Sequence, residues 1–337
     1  MIRVAVDAMG GDSAPTAEIA GAVEALTNLP GGFGIQLVGK RDPIEAELAR
    51  YPDVDRSRFE IHEAADVIGM DEKPLAAVRR KPNSSLVVGL GLQKKGLSDA
   101  FVSAGNTGAT LAASILILGV HDGVERATLA TLFPTAGEPV IVLDGGANLD
   151  CSARELVCFA RLGSVYVRDI MGRPNPGIGL LNVGEEEDKG NAVVREAHQL
   201  LRRCKGLNYL GNIEGRDIVT GTVDRGAVDV AVCDGFVGNV VLKFYESAGK
   251  LFIKLLQDGA PDVLDRPGIR DIIRRLDYST YGGAPLLGVR GVSIICHGAS
   301  PPNAVMNAVR VAVQSVEADL SRHIGAEFSQ REPAAQA

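Results

Sequence analysis

Residues 227–246 read AVDVAVCDGFVGNVVLKFYE, and the reading of this stretch decides the fold. Val and Ala bunch and alternate over 229–233, the pattern of a buried strand. The run breaks at Asp234-Gly235-Phe236-Val237-Gly238-Asn239, and Val240, Val241, Leu242, Phe244, Tyr245 and Ala248 then recur at helical spacing. A strand that ends in a glycine-bearing turn and feeds straight into a helix predicts unpaired N–H groups at the positive end of the helix dipole, where anions bind. Asp234 and Asn239 add a carboxylate and a carboxamide to that lip.

Residues 99–111, DAFVSAGNTGATL, align on 229–241, DVAVCDGFVGNVV, without a gap. An Asp opens each strand, and Gly105 and Gly108 match Gly235 and Gly238. Two such units imply two phosphate-sized anion cradles, or two walls of one. The plainer alternative is that the glycines only permit tight turns. Residues 7–13 (DAMGGDS) and 144–148 (DGGAN) are further glycine turns between a strand and a helix.

A chain of 337 residues is long enough for two domains or one large α/β unit. Hydrophobic residues make up 46% and aromatics 4%, with 40 Gly, which suits parallel sheet layered with helices. A formal net charge of −7 argues against nucleic acid as a general partner. No apolar segment precedes the first strand, so no signal peptide is expected, and the longest apolar run, 109–120, is too short to span a bilayer. Cys151, Cys158, Cys204, Cys233 and Cys296 lack metal-type spacing and read as reduced packing residues of a cytoplasmic protein.

Taken in order, strands at 2–6, 35–38 and 59–62 alternate with helices at 16–26 and 43–50, the βαβαβ opening of a doubly wound, mostly parallel sheet flanked by helices. Residues 63–85 are less regular. There Arg79, Arg80 and Lys81 are either a solvated face or, beside the cap Asn83-Ser84-Ser85, a phosphate-holding group. Strands at 128–132 and 140–143 make a candidate antiparallel hairpin, followed by a helix at 152–169. The strand within GLLNVGEEEDKGN (179–191) ends in four acidic residues and one cation, Lys189, before a helix at 191–203. A short strand at 207–212, a helix running from 239 towards 256, a short helix at 269–276, a loop at 281–287, a strand at 292–296 and a helix at 303–324 complete the order. This predicts one large α/β unit over 1–324, or two closely packed lobes, with a helical protrusion at 245–280 and a disordered tail at 325–337.

Ligands of open α/β sheets bind at the carboxyl ends of the strands. There the chain places Asp7, Gly10, Gly11 and Asp12; Ser103, Asn106 and Thr107; Asp144 and Asn148; Asn182, Glu185 and Lys189; Asp234, Gly238 and Asn239; and His297 and Ser300. Amides and hydroxyls dominate, and no His, Cys and carboxylate cluster has metal-ligand spacing, although the scattered Asp residues leave Mg²⁺ open. No nucleophile elbow, Walker sequence or dinucleotide fingerprint occurs. His297 is either a hydrogen-bonded structural residue or a catalyst.

DAMGGD at 7, KPNSS at 81, SAGNTGA at 103, LDGGAN at 143, GLLNVGEEEDKGN at 179, LGNIEGRDI at 210, DVAVCDGFVGNVVLK at 229, YGGAPLLG at 281 and HGAS at 297 occur in the order of one family. Over residues 1–324 the chain resembles the bacterial phosphate acyltransferases of the PlsX type, the acyl-carrier-protein:phosphate transacylases of phospholipid synthesis. It departs from the family pattern at Arg126-Ala127, Glu246-Ser247 and Ser300-Pro301, all beside turns or helix surfaces. The resemblance implies a fold similar to phosphotransacetylase and isocitrate dehydrogenase, a homodimer, peripheral attachment to the cytoplasmic membrane, and no cofactor. It also implies the reaction: acyl carrier protein bearing an acyl thioester plus inorganic phosphate gives acyl phosphate and free carrier.

On that footing the glycine-turn amides and Lys189 hold phosphate, Asn239 with Ser103 or Asn106 assists, and His297 or Lys189 protonates the departing thiolate. The alternatives are a phosphate acetyl- or butyryltransferase using acyl-coenzyme A, a metal- and NAD-dependent decarboxylating dehydrogenase, and a non-catalytic phosphate or acyl-ligand binding protein. Arg270, Arg274 and Arg275 share one side of a short helix and are either a carrier-protein dock or a solvated face. Apolar residues at 251–256 and 269–276 meet either lipid or a dimer partner.

Overall fold

The computed structural model describes residues 1–276 and 281–329. The chain divides into two compact units, Met1–Ala127 with Tyr281–Ala337, and Thr128–Thr280. In chain order the first unit begins with β1 (Ile2–Asp7), α1 (Thr16–Asn28), β2 (Phe33–Gly39), α2 (Arg41–Leu48), β3 (Phe59–Glu63), α3 (Pro74–Arg80), α4 (Ser85–Lys94), β4 (Ala100–Ser103) and α5 (Thr107–Leu118). The second holds β5 (Thr128–Leu129), β6 (Thr131–Phe133), β7 (Val140–Leu143), α6 (Ala153–Ile170), β8 (Gly177–Leu181), α7 (Ala192–Arg203) and β9 (Asn208–Ile213). It continues through α8 (Gly215–Thr220), β10 (Thr222–Val223), β11 (Gly226–Ala227), β12 (Val230–Val232), α9 (Gly235–Gly259) and α10 (Pro267–Leu276). The chain then returns to the first unit with β13 (Ala284–Leu287), β14 (Ser293–Ile295), α11 (Pro302–Glu317) and α12 (Leu320–Ser329).

In the first unit the strands run β3-β2-β1-β4-β14-β13, parallel except for β13. The strand order reverses between β1 and β4, so their carboxyl-end turns open on the crevice where such sheets bind ligands. Val4, Val6, Ile35 and Leu37 pack with Ile19 and Val23 of α1 and Val309 and Ala312 of α11 in one buried core. The crossing of α1 and α11 is close because Gly21 has no side chain; a Cβ there would stand 2.5 Å from the Pro302 carbonyl oxygen.

The second unit is a sheet in the order β6-β7-β12-β8-β9, with β6 as an antiparallel edge and the rest parallel. Gly163 lets α6 lie directly on β7 and β12, since a Cβ would meet Leu143 and Val230 at 2.6 and 2.7 Å. Phe133 and Tyr245 meet edge to face with centroids 5.6 Å apart, tying α9 to the β6 edge.

The gapless repeat has a physical basis in the strands. Asp99 accepts the Arg3 N–H at 2.7 Å and pairs with its guanidinium; Asp229 accepts the Gly177 N–H at 2.7 Å and pairs with Arg173 at 2.5 Å. Each Asp thus pins the start of the neighbouring parallel strand. In the turns the likeness ends. Asn106 caps α5 by accepting from Ala109 N–H, whereas Asp234 caps α9 by accepting from Val237 N–H, two residues earlier in the aligned frame.

Other expectations change in detail. The α9 helix starts at Gly235, so Gly238 and Asn239 lie inside its first turns instead of on a loop. Residues 284–287 form β13, because their alternate apolar side chains pair antiparallel with β14. The final helix breaks at Asp319, whose φ is +53°, and resumes as α12 to Ser329, so residues 325–329 are helical where a disordered tail was expected; 330–337 lie outside the described residues. Residues 74–80 and 215–220 form the short helices α3 and α8, which the sequence pattern did not single out.

A Cβ on Gly238 would stand 1.9 Å from the Asp144 carbonyl oxygen, whereas one on Gly249 meets nothing within 4 Å. Gly238→Ala should therefore lower stability by about 3 kcal/mol, and Gly249→Ala should raise it by up to ~1 kcal/mol through helix propensity. Urea unfolding of the two variants checks the pair; a Gly238→Ala protein as stable as wild type contradicts the packing described.

Candidate active site

In the first unit three turns meet at the carboxyl ends of β1, β4 and β14. The Asp12 N–H donates to the Gly298 carbonyl at 2.8 Å, and Gly10 lies against Gly105, where a Cβ would stand 2.8 Å from the Gly105 nitrogen. Asp7 is buried at the centre and accepts from the Ser103 hydroxyl at 2.8 Å and the Met9 N–H at 3.1 Å. Burial raises its pKa, and hydrogen bonds from Ser85, Ser103 and Met9 partly offset that. Glu18, in the first turn of α1, packs onto Gly11 so closely that a Cβ there would stand 2.0 Å from Oε1. It is 2% exposed, and its Oε2 has no hydrogen-bond partner. Burial pushes its pKa up to about 7, and the charges of Asp7 and Asp12 add to the rise.

In the second unit the turns after β7 and β12 interlock. Asp144 is fully buried and accepts from Leu129 N–H at 2.9 Å, Asn148 N–H at 2.6 Å and Asn148 Nδ2 at 3.0 Å. The Gly235 N–H, first of α9, donates to the Asn148 carbonyl at 2.7 Å. Val237 N–H goes to Asp234, so of the first three α9 amides the Phe236 N–H is the one without a partner among the described residues. The cradle expected here is thus largely closed on itself. Asn239 stays exposed beside it and leans on Gly146, where a Cβ would stand 3.3 Å from its own Cβ.

The turn after β8 is braced internally. Asn182 donates to the Lys189 carbonyl at 3.2 Å and accepts from Val183 N–H. Arginines take its acidic run in hand: Glu187 pairs with Arg202 at 2.6 Å and Glu185 with Arg216 at 3.2 Å. Lys189 is exposed and makes no ion pair among the described residues. A cation left over beside four acids is an available anion ligand.

The predicted residues therefore fall into two sets. Gly10, Gly11, Ser103, Asn106, Thr107, His297 and Ser300 belong to the first unit; Asn148, Asn182, Lys189, Asp234, Gly238 and Asn239 belong to the second. Several are occupied with the turns themselves. Ser103 accepts from Gly105 N–H while donating to Asp7, and Asn106 caps α5 while its Nδ2 donates to the carbonyls of Gly69, Met70 and Glu72. His297 is exposed, and its Nδ1 accepts from Ala299 N–H at 3.2 Å. Lys81, the last member of the basic run, meets Glu72 at 2.5 Å. Sequence reasoning missed Glu18 as a site residue; its signal was an acid in the first turn after a double-glycine loop.

The architecture is that of the phosphotransacylases. A phosphotransacetylase from Streptococcus pyogenes superimposes with a TM-score of 0.64 at 16% identity over 94% of each chain. One from Staphylococcus aureus gives 0.61 at 16% over 94% of each. A branched-chain phosphotransacylase from Enterococcus faecalis gives 0.59 at 12%, covering 94% of this chain and 99% of that one. At those identities the likeness concerns the fold. Sequence carries the rest: residues 2–323 match the family described as "Fatty acid synthesis protein". The phosphate acyltransferase of Heliobacterium modesticaldum is 48% identical over 96% of this chain and 98% of that protein, and that of Nostoc punctiforme 43% over 97% and 96%. The chain belongs to this phosphate acyltransferase family and is an acyltransferase.

Glu18 offers a pH test. Its carboxyl ionises near 4.5 when unfolded and at about 7 when folded, so the folded state binds its proton more tightly. The stability this contributes is complete below the unfolded value and is lost as pH rises through 7. Glu18→Gln, which cannot ionise, should flatten that decline and be more stable than wild type at about pH 8 by on the order of 3 kcal/mol. Urea midpoints at about pH 5 and pH 8 measure it, and equal slopes in both proteins would refute a titrating Glu18.

Proposed function

We propose that the enzyme transfers a long-chain acyl group from acyl carrier protein to inorganic phosphate, giving acyl phosphate for phospholipid synthesis. What carries this reading is near-full-length identity to phosphate acyltransferases within a family described by fatty acid synthesis. A phosphate oxygen adds to the thioester carbonyl, the C–S bond breaks, and the thiolate leaves and takes up a proton. Phosphate is largely dianionic near neutral pH, so the demand on the protein is placement more than activation.

Lys189 is the phosphate ligand in this proposal, because Arg202 and Arg216 take up two of its four acidic neighbours and it makes no ion pair itself among the described residues. Asn239, exposed at the start of α9, donates to the oxyanion of the tetrahedral intermediate. Either Lys189 or His297 supplies the proton to the thiolate. Two surfaces serve delivery and release. Arg270 and Arg274 are exposed on α10 and receive the acidic carrier, although each also meets an Asp, at 2.7 and 3.3 Å; Arg275 follows them on the same helix. Leu251, Phe252, Leu255 and Ile272 are exposed and meet a membrane surface, where the apolar product is passed on. No helix among the described residues is long and apolar enough to cross a membrane. The working form is a homodimer.

Incubation of palmitoyl carrier protein with phosphate should yield a hydroxylamine-trappable acyl phosphate; turnover confined to acyl-coenzyme A would favour the acetyl- or butyryltransferase reading. Lys189→Ala should raise the phosphate KM about tenfold or more with the fold intact, the scale of a lost charge-assisted contact. An unchanged phosphate titration would show Lys189 to be a surface charge only. Replacing Ile272 and Ile273 with Ser should abolish co-sedimentation with anionic liposomes and leave the dimer in place; a monomeric mutant, or one that still sediments, would remove α10 from the membrane contact.

A further inference from the structure

Behind the turn that carries Lys189, α7 and β9 enclose a row of buried polar groups that the proposed reaction does not use. Asn212, 1% exposed on β9, donates from Nδ2 to the Glu186 carbonyl at 2.8 Å. That carbonyl also accepts the Lys189 N–H at 3.3 Å. Asn212 is itself fixed, since its own carbonyl accepts from Arg225 at 3.1 Å. Its Oδ1 is buried without a hydrogen-bond partner, and so is Nε2 of His198 on α7. The two groups are close enough for the amide to favour a protonated imidazole, although burial, the larger effect, lowers the His198 pKa.

The far side of the imidazole makes a hydrogen bond of its own. His198 Nδ1 lies 2.8 Å from the Tyr209 hydroxyl, with the two rings edge to face. The hydroxyl and Nδ1 share one hydrogen, given by the hydroxyl when the ring proton sits on Nε2 and by the imidazole when it sits on Nδ1. With the hydroxyl as donor the ring proton sits on Nε2, and in either case Asn212 Nδ2 is committed to the Glu186 carbonyl. Glu187, Arg202 and Arg225 are the charged groups around this row.

We propose that Asn212 is a positioning residue for Lys189, gripping the Glu186 carbonyl to which the Lys189 N–H also donates. The proposal rests on Lys189 being the phosphate ligand. A buried amide whose donor ends on the backbone three residues before the key cation sets where that cation stands, and does so without touching substrate.

A double-mutant cycle read through inorganic phosphate tests it. Asn212→Ala should raise the phosphate KM about tenfold while kcat stays within about twofold, and should weaken phosphate binding in calorimetry to the same degree. On a Lys189→Ala background the same change should add no more than about twofold, because the ligand it positions is gone. Asn212→Leu keeps the volume without burying a charge, loses the N–H donor and should reproduce the loss, which covers the case that the alanine variant folds poorly. An unchanged phosphate KM in the Asn212 variants, or effects that multiply in full with Lys189→Ala, would overturn the positioning role alone. If Lys189→Ala itself leaves phosphate binding unchanged, the phosphate-ligand reading falls first and this one with it.

Discussion

The second unit depends on how Asp144 is satisfied. A carboxylate with no exposed surface costs several kcal/mol to desolvate, and directed N–H donors are what offset it. Here Leu129 N–H, Asn148 N–H and the Asn148 side chain supply them. That arrangement curls residues 144–148 over the end of the sheet and leaves one shape for the next element to fill. Gly235 and Gly238 fill it, for any Cβ would strike Asn148 or the Asp144 carbonyl. The α9 helix can therefore begin directly against the turn, and its start puts Asn239 over Gly146. One buried acid thus fixes where a 25-residue helix starts and which side chain stands at its lip.

The doubly wound architecture was legible because its signals are local. Val- and Ala-rich runs ending on glycine turns give strand, turn and helix in order, and the repeat at 99–111 and 229–241 marks two such junctions. The opening aspartates were visible too, and their task of pinning the neighbouring strand explains why they recur. The capping register was not legible. Asn106 and Asp234 are both good caps, and which residue begins the helix depends on what the turn packs against, a tertiary fact. The strand β13 was hidden because its pairing partner β14 supplies the reason for it to extend, and only the fold brings them together.

The site was legible by residue type and less so by role. Ser103 and Asn106 read as substrate donors, and in the fold their donors meet Asp7 and the carbonyls of Gly69, Met70 and Glu72. Lys189 could not be separated from a balancing surface charge by sequence; Arg202 and Arg216, 13 and 27 residues further along the chain, pair with Glu187 and Glu185 and leave Lys189 without an ion pair among the described residues. Glu18 was missed because an acid in a first helical turn is ordinarily an exposed dipole partner. Only the close approach of Gly11 shows it buried.

Charge then sorts the two sets of turns. Around the double-glycine turn of the first unit stand Asp7, Asp12 and Glu18, and each raises the cost of a further negative charge. A phosphate dianion placed there would meet carboxylates at close range, with Asp7 deeply buried, where screening is weak. In the turn after β8, Glu185 and Glu187 are paired with arginines, and Lys189 is exposed beside Glu186 and Asp188, with no ion pair of its own among the described residues. Glycine turns alone would have assigned anions equally to both. Under the proposed reaction the first turn is the costlier place for a dianion, and a Glu18 with a pKa of about 7 carries a proton for much of the time near neutral pH.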